Sequence, residues 1–280
     1  MYDNIVDNRL QHAINQVARE DGQAINVASK AKTLKKFGRS SLVDSNKFHD
    51  LWPLSDAGEP YRPATNLLTE IMSDDANDTE PVLIEGFTIA AGVLTFISQT
   101  VTLNGTTEVL LTSATQSDGS AGVALGRCTR IKNQTTSGTD LVGNIYVWDG
   151  SADTTPGTPD DLTKVGGHIS ITDQQTQQSF TSVSSTDYFF ITQMFASVNR
   201  VQAAAVDVQI DTRDVGNGGT WLPAHPQIGL HTTGATSVEL PLDPVIIVRP
   251  NHDIRVRAQG SSATNTQVSC FFAGYLAEFV

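Results

Sequence analysis

The densest series of side chains with the chemistry of a cation site is Asp207, Asp211 and Asp214. On an extended strand Asp207 and Asp211 share one face, because side chains alternate between the two faces of a strand. Carboxylate oxygens bind calcium, but this spacing is not that of an EF-hand loop. We therefore predict surface charge, with calcium binding as the alternative. The acidic stretch SDDAND at residues 73–78 is predicted to be a solvated turn.

No other constellation in the sequence carries recognisable catalytic chemistry. The six histidines form no HExxH pair, no serine lies in a GxSxG motif, and no Walker loop is present. His225 and His231 are close in sequence, but surface loop histidines explain them better than a metal pair does. We predict no catalytic, metal-binding or cofactor-binding residues and do not expect an enzyme. Glycan hydrolysis stays open as an alternative, because its paired carboxylates come from distant positions and have no motif.

The two cysteines, Cys128 and Cys270, lie far apart and in no CxxC spacing. The N-terminus lacks the apolar core of a secretory signal, and no apolar run approaches the roughly 18 residues of a membrane span. A chain made in a reducing compartment keeps its thiols reduced, so two separate thiols are predicted rather than a disulfide.

The 280-residue chain has a formal net charge of −12 that is unevenly distributed. Residues 1–40 carry seven Lys/Arg and four Asp/Glu, so the remaining 240 residues carry −15. An acidic balance disfavours general nucleic-acid binding, which needs a basic surface. Only 17% of the residues are charged, and the abundance of Thr, Ser, Gln, Asn and Gly is typical of a β-rich protein with polar turns.

Residues 1–60 are predicted to form an N-terminal arm. Its first part is a short helix whose apolar stripe packs either on its own body or on a neighbouring subunit, since an isolated helix of this length is marginal in water. A basic, partly extended segment follows, for which a solvated face, a protein contact in an assembly and a DNA contact are the alternatives. An anchored irregular loop around the tryptophan completes the arm. The candidate assembly contacts in these parts are Val6, Leu10, Val17, Lys30, Lys32, Lys35, Lys36 and Trp52.

Two β-rich zones are predicted after the arm, at residues 61–176 and 177–280. The runs at 81–89, 93–103 and 188–198 combine β-branched and aromatic residues with partial alternation, which is typical of strands. Asn104-Gly105 predicts a two-residue turn that pairs residues 93–103 with residues 106–112. The fold class is therefore all-β, with one or two β-sandwich or jelly-roll-like domains and an N-terminal helical or extended arm.

Several segments, in order along the chain, resemble structural proteins of tailed bacteriophages of the marine and cyanobacterial type. The segments are Phe37-Gly38-Arg39, Leu51-Trp52-Pro53, Gly58-Glu59-Pro60-Tyr61, residues 99–107 (QTVTLNGTT), Phe195-Ala196-Ser197-Val198-Asn199-Arg200 and Ala273-Gly274-Tyr275-Leu276. The resemblance spans most of the chain and implies a virion structural protein. The resemblance does not imply any catalytic residue in this chain.

Within a virion, the expected role is a capsid decoration (cement) protein that binds the capsid surface and stabilises subunit junctions. The expected partners are the major capsid protein or other virion proteins, and further copies of the chain, with a trimer favoured. Neither a membrane nor nucleic acid is an expected partner. The alternatives are a tail, neck or fibre component attached by the arm, and a virion-associated glycan depolymerase. A fibre is less favoured because the chain lacks a coiled-coil or repetitive shaft. The expected location is the virion, after synthesis in the host cytoplasm.

Overall fold

The computed structural model describes residues 11–17, 20, 32–44, 47–56, 58–135, 140–152, 158–171, 173–199, 204–225, 227–232, 235–260 and 266–278. Over these residues the protein is all-β, which confirms the predicted fold class. The strands are β1 (Lys32–Val43), β2 (His49–Asp50), β3 (Glu70–Ser73), β4 (Pro81–Ala90), β5 (Val93–Thr102), β6 (Val109–Leu110), β7 (Thr115–Gln116), β8 (Arg127–Asn133), β9 (Ile145–Trp148), β10 (Val165–Ile169), β11 (Phe180–Ser182), β12 (Asp187–Asn199), β13 (Ala204–Asp214), β14 (Leu222–Pro223), β15 (Ile228–Thr232), β16 (Ala235–Val248), β17 (His252–Gly260) and β18 (Thr266–Glu278). Residues 11–17 are helical, and short 3-10 helices cover Leu111–Ser113, Gly150–Ala152 and Leu162–Lys164.

The chain forms two compact units. Unit 1 comprises Met1–Phe37, Leu42–Phe48 and Ser179–Val280, and unit 2 comprises Gly38–Ser41 and His49–Gln178. The residues of the predicted arm are therefore shared between the two units.

Unit 2 is a β-sandwich of two four-stranded sheets, with strand orders β10-β9-β3-β6 and β7-β5-β4-β8. Ile71 and Val147 from the first sheet and Val82 and Ile84 from the second lie in one core and have no exposed surface. Val82 and Ile84 are two residues apart on β4, so both point to the same side of the strand. The alternation seen at residues 81–89 thus marks the side of β4 that faces the core.

The long hairpin of unit 2 turns at Ala91-Gly92, where both residues have positive φ, rather than at Asn104-Gly105. A turn does form at Asn104, since the Thr107 N–H donates to its carbonyl at 3.1 Å, but only one bridge follows. The chain leaves β5 at that point because the Leu103 and Gly105 N–H groups donate to the carbonyls of Glu80 and Asp78. β6 then pairs with β3. The predicted pairing of residues 93–103 with 106–112 is wrong.

Unit 1 contains a sheet of order β1-β18-β12-β16 and a second sheet of order β11-β17-β13-β14, in which β15 also pairs with β13. β12 is antiparallel to both β16 and β18, and β13 is antiparallel to β17. One side of the first sheet is largely apolar and buried, with Phe189, Met194 and Phe272 at most 1% exposed. We call this the inner side of the sheet and the opposite side the outer side.

A β-bulge at Thr192 decides which residues of β12 reach the outer side. The pairing of β12 with β18 shifts between Ile191 and Gln193, so one extra residue is inserted and the alternation changes phase. Before the bulge Phe189 is inner and Phe190 is outer, and after it Met194 is inner and Phe195 is outer.

The N-terminal helix covers one end of the outer side. Ala13, Ile14 and Val17 pack with Tyr188, Phe190, Val245 and Ala277, and all seven are less than 9% exposed. Within the described residues, the structure thus shows the apolar stripe of the helix on its own unit, which is one of the two predicted alternatives.

Gly274 of β18 lies opposite Ile191 at the bulge, where a Cβ would lie 1.9 Å from the Phe190 carbonyl oxygen. Gly274→Ala is therefore expected to lower the free energy of unfolding by about 1–3 kcal/mol, because the strands would have to separate. Urea unfolding of the purified variant measures the effect. Gly229→Ala is the matched control, since a Cβ there meets its nearest atom at an ordinary 3.5 Å. Equal stability of the two variants would contradict this account of the bulge.

Candidate functional site

Asp211 of β13 is fully buried at the centre of an ionic network in unit 1. Its Oδ2 lies 3.2 Å from Nε of Arg255 and 2.6 Å from Nε of Arg257, and its Oδ1 accepts a hydrogen bond from the Gln209 side chain. The pairing of β13 with β17 places Asp211 directly opposite Arg255. The prediction that the Asp207–Asp214 series is surface charge is therefore wrong for Asp211, because the cationic face of β17 covers it.

A second buried carboxylate extends the network. Asp253 of β17 has no exposed surface, pairs with Arg213 at 2.8 Å and accepts a hydrogen bond from the Ser182 hydroxyl at 2.6 Å. The Trp221 ring lies 4.6 Å from the guanidinium of Arg213 and 4.1 Å from that of Arg255. These cation–π contacts and ion pairs surround both carboxylates on one face of the sheet. The network joins strands, and its carboxylates have no contact with solvent.

The acidic stretch at residues 73–78 is also tied into the fold, because Asp78 is only 1% exposed. Its carboxylate accepts hydrogen bonds from the Ser73 hydroxyl at 2.6 Å and from the N–H groups of Val142 and Gly143 at 2.9 Å each. Asp74 accepts two further bonds from Asn144, both at 2.7 Å. The prediction of a solvated turn is therefore wrong for Asp78, which anchors the chain entering β9.

His168 of β10 is a buried histidine whose ring lies close to that of Tyr146. It is 3% exposed, neither ring nitrogen has a hydrogen-bond partner, and its ring centroid lies 5.0 Å from that of Tyr146. Burial lowers the pKa of His168 to about 4, although the charge of Asp74 acts in the opposite direction. Burial also raises the pKa of Tyr146 to about 12, together with the charge of Asp74 and a hydrogen bond to it. Both rings are neutral at pH 7.

In the described part of the chain, no group of three or more His, Cys, Asp or Glu side chains is arranged to hold a metal ion. Cys128 and Cys270 are buried thiols, one in each unit, and are not joined by a disulfide. Over the same residues, none of the helices has the length and apolar character needed to cross a bilayer.

The predicted assembly contacts fall into three groups. Val17 and Trp52 are at most 2% exposed and pack inside their own units, and the Trp52 indole donates to the Gly58 carbonyl at 2.8 Å. Lys32 and Lys35 are exposed on β1, whereas Lys36 is 8% exposed. The remaining three, Val6, Leu10 and Lys30, lie outside the described residues. A partner could reach Val17 or Trp52 only after uncovering it, so Lys32 and Lys35 are the accessible members among the described residues.

The outer side of the first sheet of unit 1 carries partly exposed aromatic rings and one of these lysines, Lys35. Phe195 and Phe271 are directly opposite on β12 and β18, are partly exposed, and stack with centroids 5.3 Å apart. β1 pairs with β18 at the edge of this sheet, and its Phe37 is 39% exposed. From Lys35 to Ser41 the odd-numbered residues of β1 are exposed and the even-numbered ones buried, so Lys35 and Phe37 share the outer side, whereas Lys32 lies in the opposite phase. We call Lys35, Phe37, Phe195 and Phe271 the β1 face.

Sequence reasoning identified Lys35 of the β1 face but missed its aromatic residues. The available signal was the alternation in KTLKKFGRSSLV, which has exposed and buried positions in turn from Lys35 to Ser41. Exposed aromatic side chains are enriched in protein–protein contact sites. The β1 face is therefore the candidate functional site, and its chemistry is binding.

No protein-family profile and no curated protein sequence matches the chain. Among solved structures, the CBM22–GH10 modules of xylanase 10B from Clostridium thermocellum, complexed with xylohexaose, align over 52% of this chain at 9% identity and a TM-score of 0.20. The chain spans about a quarter of that protein, 23% of its length.

Infectious bursal disease virus provides further similar structures. A chain of the Gx strain aligns over 95% of this chain and 78% of its own length, with 11% identity and a TM-score of 0.25. The VP2 subviral particle of the same virus aligns over 95% of this chain and 77% of its own length, at 10% identity and a TM-score of 0.21. TM-scores this low do not bear on function.

Asp211→Asn is expected to destabilise unit 1 strongly, because it leaves the buried Arg255 and the partly buried Arg257 without their counter-charge. The expected loss in free energy of unfolding is about 3–5 kcal/mol, measured by urea denaturation. Asp207→Asn on the same strand is the control, with an expected loss below about 1 kcal/mol because Asp207 is only partly buried. Similar losses in the two variants would show that the network does not hold the sheet.

The buried His168 predicts acid sensitivity. As the pH falls from 6.5 to about 4, the unfolded chain takes up a proton at His168 while the folded chain does not. Stability therefore falls with pH in that range, by about 3 kcal/mol at most. His168→Gln should remove this part of the pH dependence of the melting temperature, and His12→Gln on the exposed helix surface should retain it. An unchanged pH profile in His168→Gln would refute the assignment.

Proposed function

We propose that this protein is a structural protein of a tailed-bacteriophage virion, and within the virion a capsid decoration protein. The observation that carries the proposal is the β1 face, a sheet surface that displays partly exposed aromatic rings and Lys35 in a chain of net charge −12. Such a surface is suited to a lasting contact with another protein, because its rings contribute apolar contact area.

Two of the segments that resemble phage structural proteins contribute to this face. Phe37 belongs to the first segment, and Phe195 belongs to the segment at residues 195–200. The segments are 158 positions apart between these two residues, and the sheet order β1-β18-β12 brings their strands within one strand of each other. The resemblance and the exposed surface therefore point to the same part of unit 1.

The internal construction of both units also supports a structural role. Two of the carboxylates that sequence reasoning offered for chemistry, Asp211 and Asp78, are buried and connect strands or loops. Their interactions hold each unit in one conformation, which is what a subunit of a large assembly requires.

Binding to purified phage components tests the proposal. The protein is expected to co-sediment with empty capsids rather than with tails, and to raise the temperature at which the capsids disrupt. Phe37→Ala should weaken capsid binding by about tenfold through loss of the exposed ring. Phe96→Ala, which removes a 50%-exposed ring from unit 2, is the matched control and should bind normally.

Three results would overturn this assignment. Binding to tails alone would favour a tail, neck or fibre component. Cleavage of host polysaccharide by the purified protein would favour a depolymerase. Absence of binding to any phage component would remove the virion role.

A further inference from the structure

We propose that Asn217, on the exposed turn after β13, is a site of spontaneous conversion to aspartate and isoaspartate, whereas Asn104 is protected from the same reaction. Asn217-Gly218 and Asn104-Gly105 are the two Asn-Gly sequences of the chain. A glycine after asparagine favours the reaction, because it has no Cβ to hinder the approach of its nitrogen to the asparagine side chain. The reaction needs no partner, so it is independent of the proposed function.

The reaction is an intramolecular acyl transfer. The Gly218 backbone nitrogen loses its proton to water and attacks Cγ of Asn217, which forms a new C–N bond and a cyclic succinimide. The bond from Cγ to the side-chain nitrogen breaks, and that nitrogen takes up a proton from water and leaves as ammonia. Water then opens the ring at either carbonyl, giving aspartate or isoaspartate. Water is the co-reactant throughout, and no group is oxidised or reduced.

The turn that contains Asn217 is open to water. Gly216, Asn217 and Gly218 are all exposed, and a Cβ added at Gly218 would meet no atom of the described residues within 4 Å. The Gly218 N–H donates to the Val215 carbonyl at 3.3 Å, and the Asn217 amide donates to the Asp214 carboxylate at 2.5 Å. Both bonds must break before Cγ can reach the Gly218 nitrogen. Water can replace them at this exposed turn, so breaking them adds little to the barrier.

Asn104 is exposed too, but the glycine that follows it is buried. The Gly105 N–H donates to the carbonyl of Asp78 at 2.8 Å, and Asp78 is 1% exposed. A Cβ at Gly105 would lie 2.6 Å from the Ala76 carbonyl oxygen, so the backbone of residues 76–78 closes over this glycine. Loss of the Gly105 proton would leave the Asp78 carbonyl without its donor in a place shielded from water, which is costly. Exposure of the Asn104 side chain therefore does not make it reactive.

Conversion of Asn217 acts on the turn itself. Asp214 accepts hydrogen bonds from the Asn217 N–H at 3.3 Å and from its side-chain amide, whereas a carboxylate at this position cannot donate and repels Asp214. Isoaspartate also adds a methylene to the backbone path of the turn. The turn leads from β13 to Trp221, whose ring stacks on Arg213 and Arg255. Conversion is therefore expected to loosen this turn and to give a more acidic form of the protein.

Timed incubation of the purified full chain at mildly alkaline pH tests the proposal. Peptide mapping by mass spectrometry measures the conversion of each asparagine, and labelling with an isoaspartate methyltransferase identifies the isoaspartate product. Asn217 should convert progressively as a more acidic species accumulates on anion exchange. Asn104 should convert at least about tenfold more slowly, which corresponds to a barrier higher by about 1.4 kcal/mol.

Incubation of the chain unfolded in urea separates the effect of structure from that of sequence. Because glycine follows both asparagines, they should convert at comparable rates in the unfolded chain. Asn217→Gln keeps the amide on a longer side chain, and the folded variant should lose both the acidic species and the isoaspartate label. Retention of that label in Asn217→Gln overturns the inference. Equal conversion of Asn217 and Asn104 in the folded protein, or conversion of both in urea and of neither in the folded protein, overturns it as well.

Discussion

The pairing of strands β13 and β17 in unit 1 depends on the buried carboxylate of Asp211. An ionised carboxylate without contact with solvent is costly unless cations and hydrogen-bond donors surround it, and Arg255, Arg257 and Gln209 meet that requirement. These partners reach Asp211 only when β13 and β17 pair in one register. A slip by one residue would move every side chain to the opposite face and expose the apolar row that includes Val208 and Val256. The ion pairs and the hydrophobic core therefore require the same strand pairing.

Unit 2 also contains a buried carboxylate, that of Asp78, but its partners include backbone N–H groups instead of arginines. Asp78 uses its carboxylate to satisfy two consecutive N–H groups of the chain that enters β9, and its carbonyl receives the Gly105 N–H. One residue thus positions two loops that come from distant parts of the sequence. The exposed residues beside Asp78 owe their fixed arrangement to a carboxylate that itself is hidden from solvent.

The sequence was a good guide wherever the fold depends on local alternation. Residues 81–89 and 188–198 combine β-branched and aromatic residues with partial alternation, and β4 and β12 confirm both as strands. The arm was harder to interpret. Its lysines suggested a solvated segment, whereas Lys32–Val43 form strand β1, which pairs with β18. The sequence shows that Asp211 and Arg255 are charged, but it does not show that they pair, because they are 44 residues apart along the chain. The path of the chain after Asn104 could not be predicted for the same reason, since it depends on hydrogen bonds to the distant carbonyls of Glu80 and Asp78. The aromatic residues of the candidate site, Phe37, Phe195 and Phe271, are brought together only by the sheet order.

The extra residue in β12 has a consequence for how this chain can vary in length. Thr192 resets the alternation halfway along the strand, so the helix-covered rings and the exposed Phe195 lie on one side although they differ in odd and even position. Removing a single residue there would rotate the second half of β12 by half a turn, placing Phe195 in the interior and Met194 in water. A loop can gain or lose a residue during evolution with little effect, but in this strand even one codon changes which chemical surface the sheet displays.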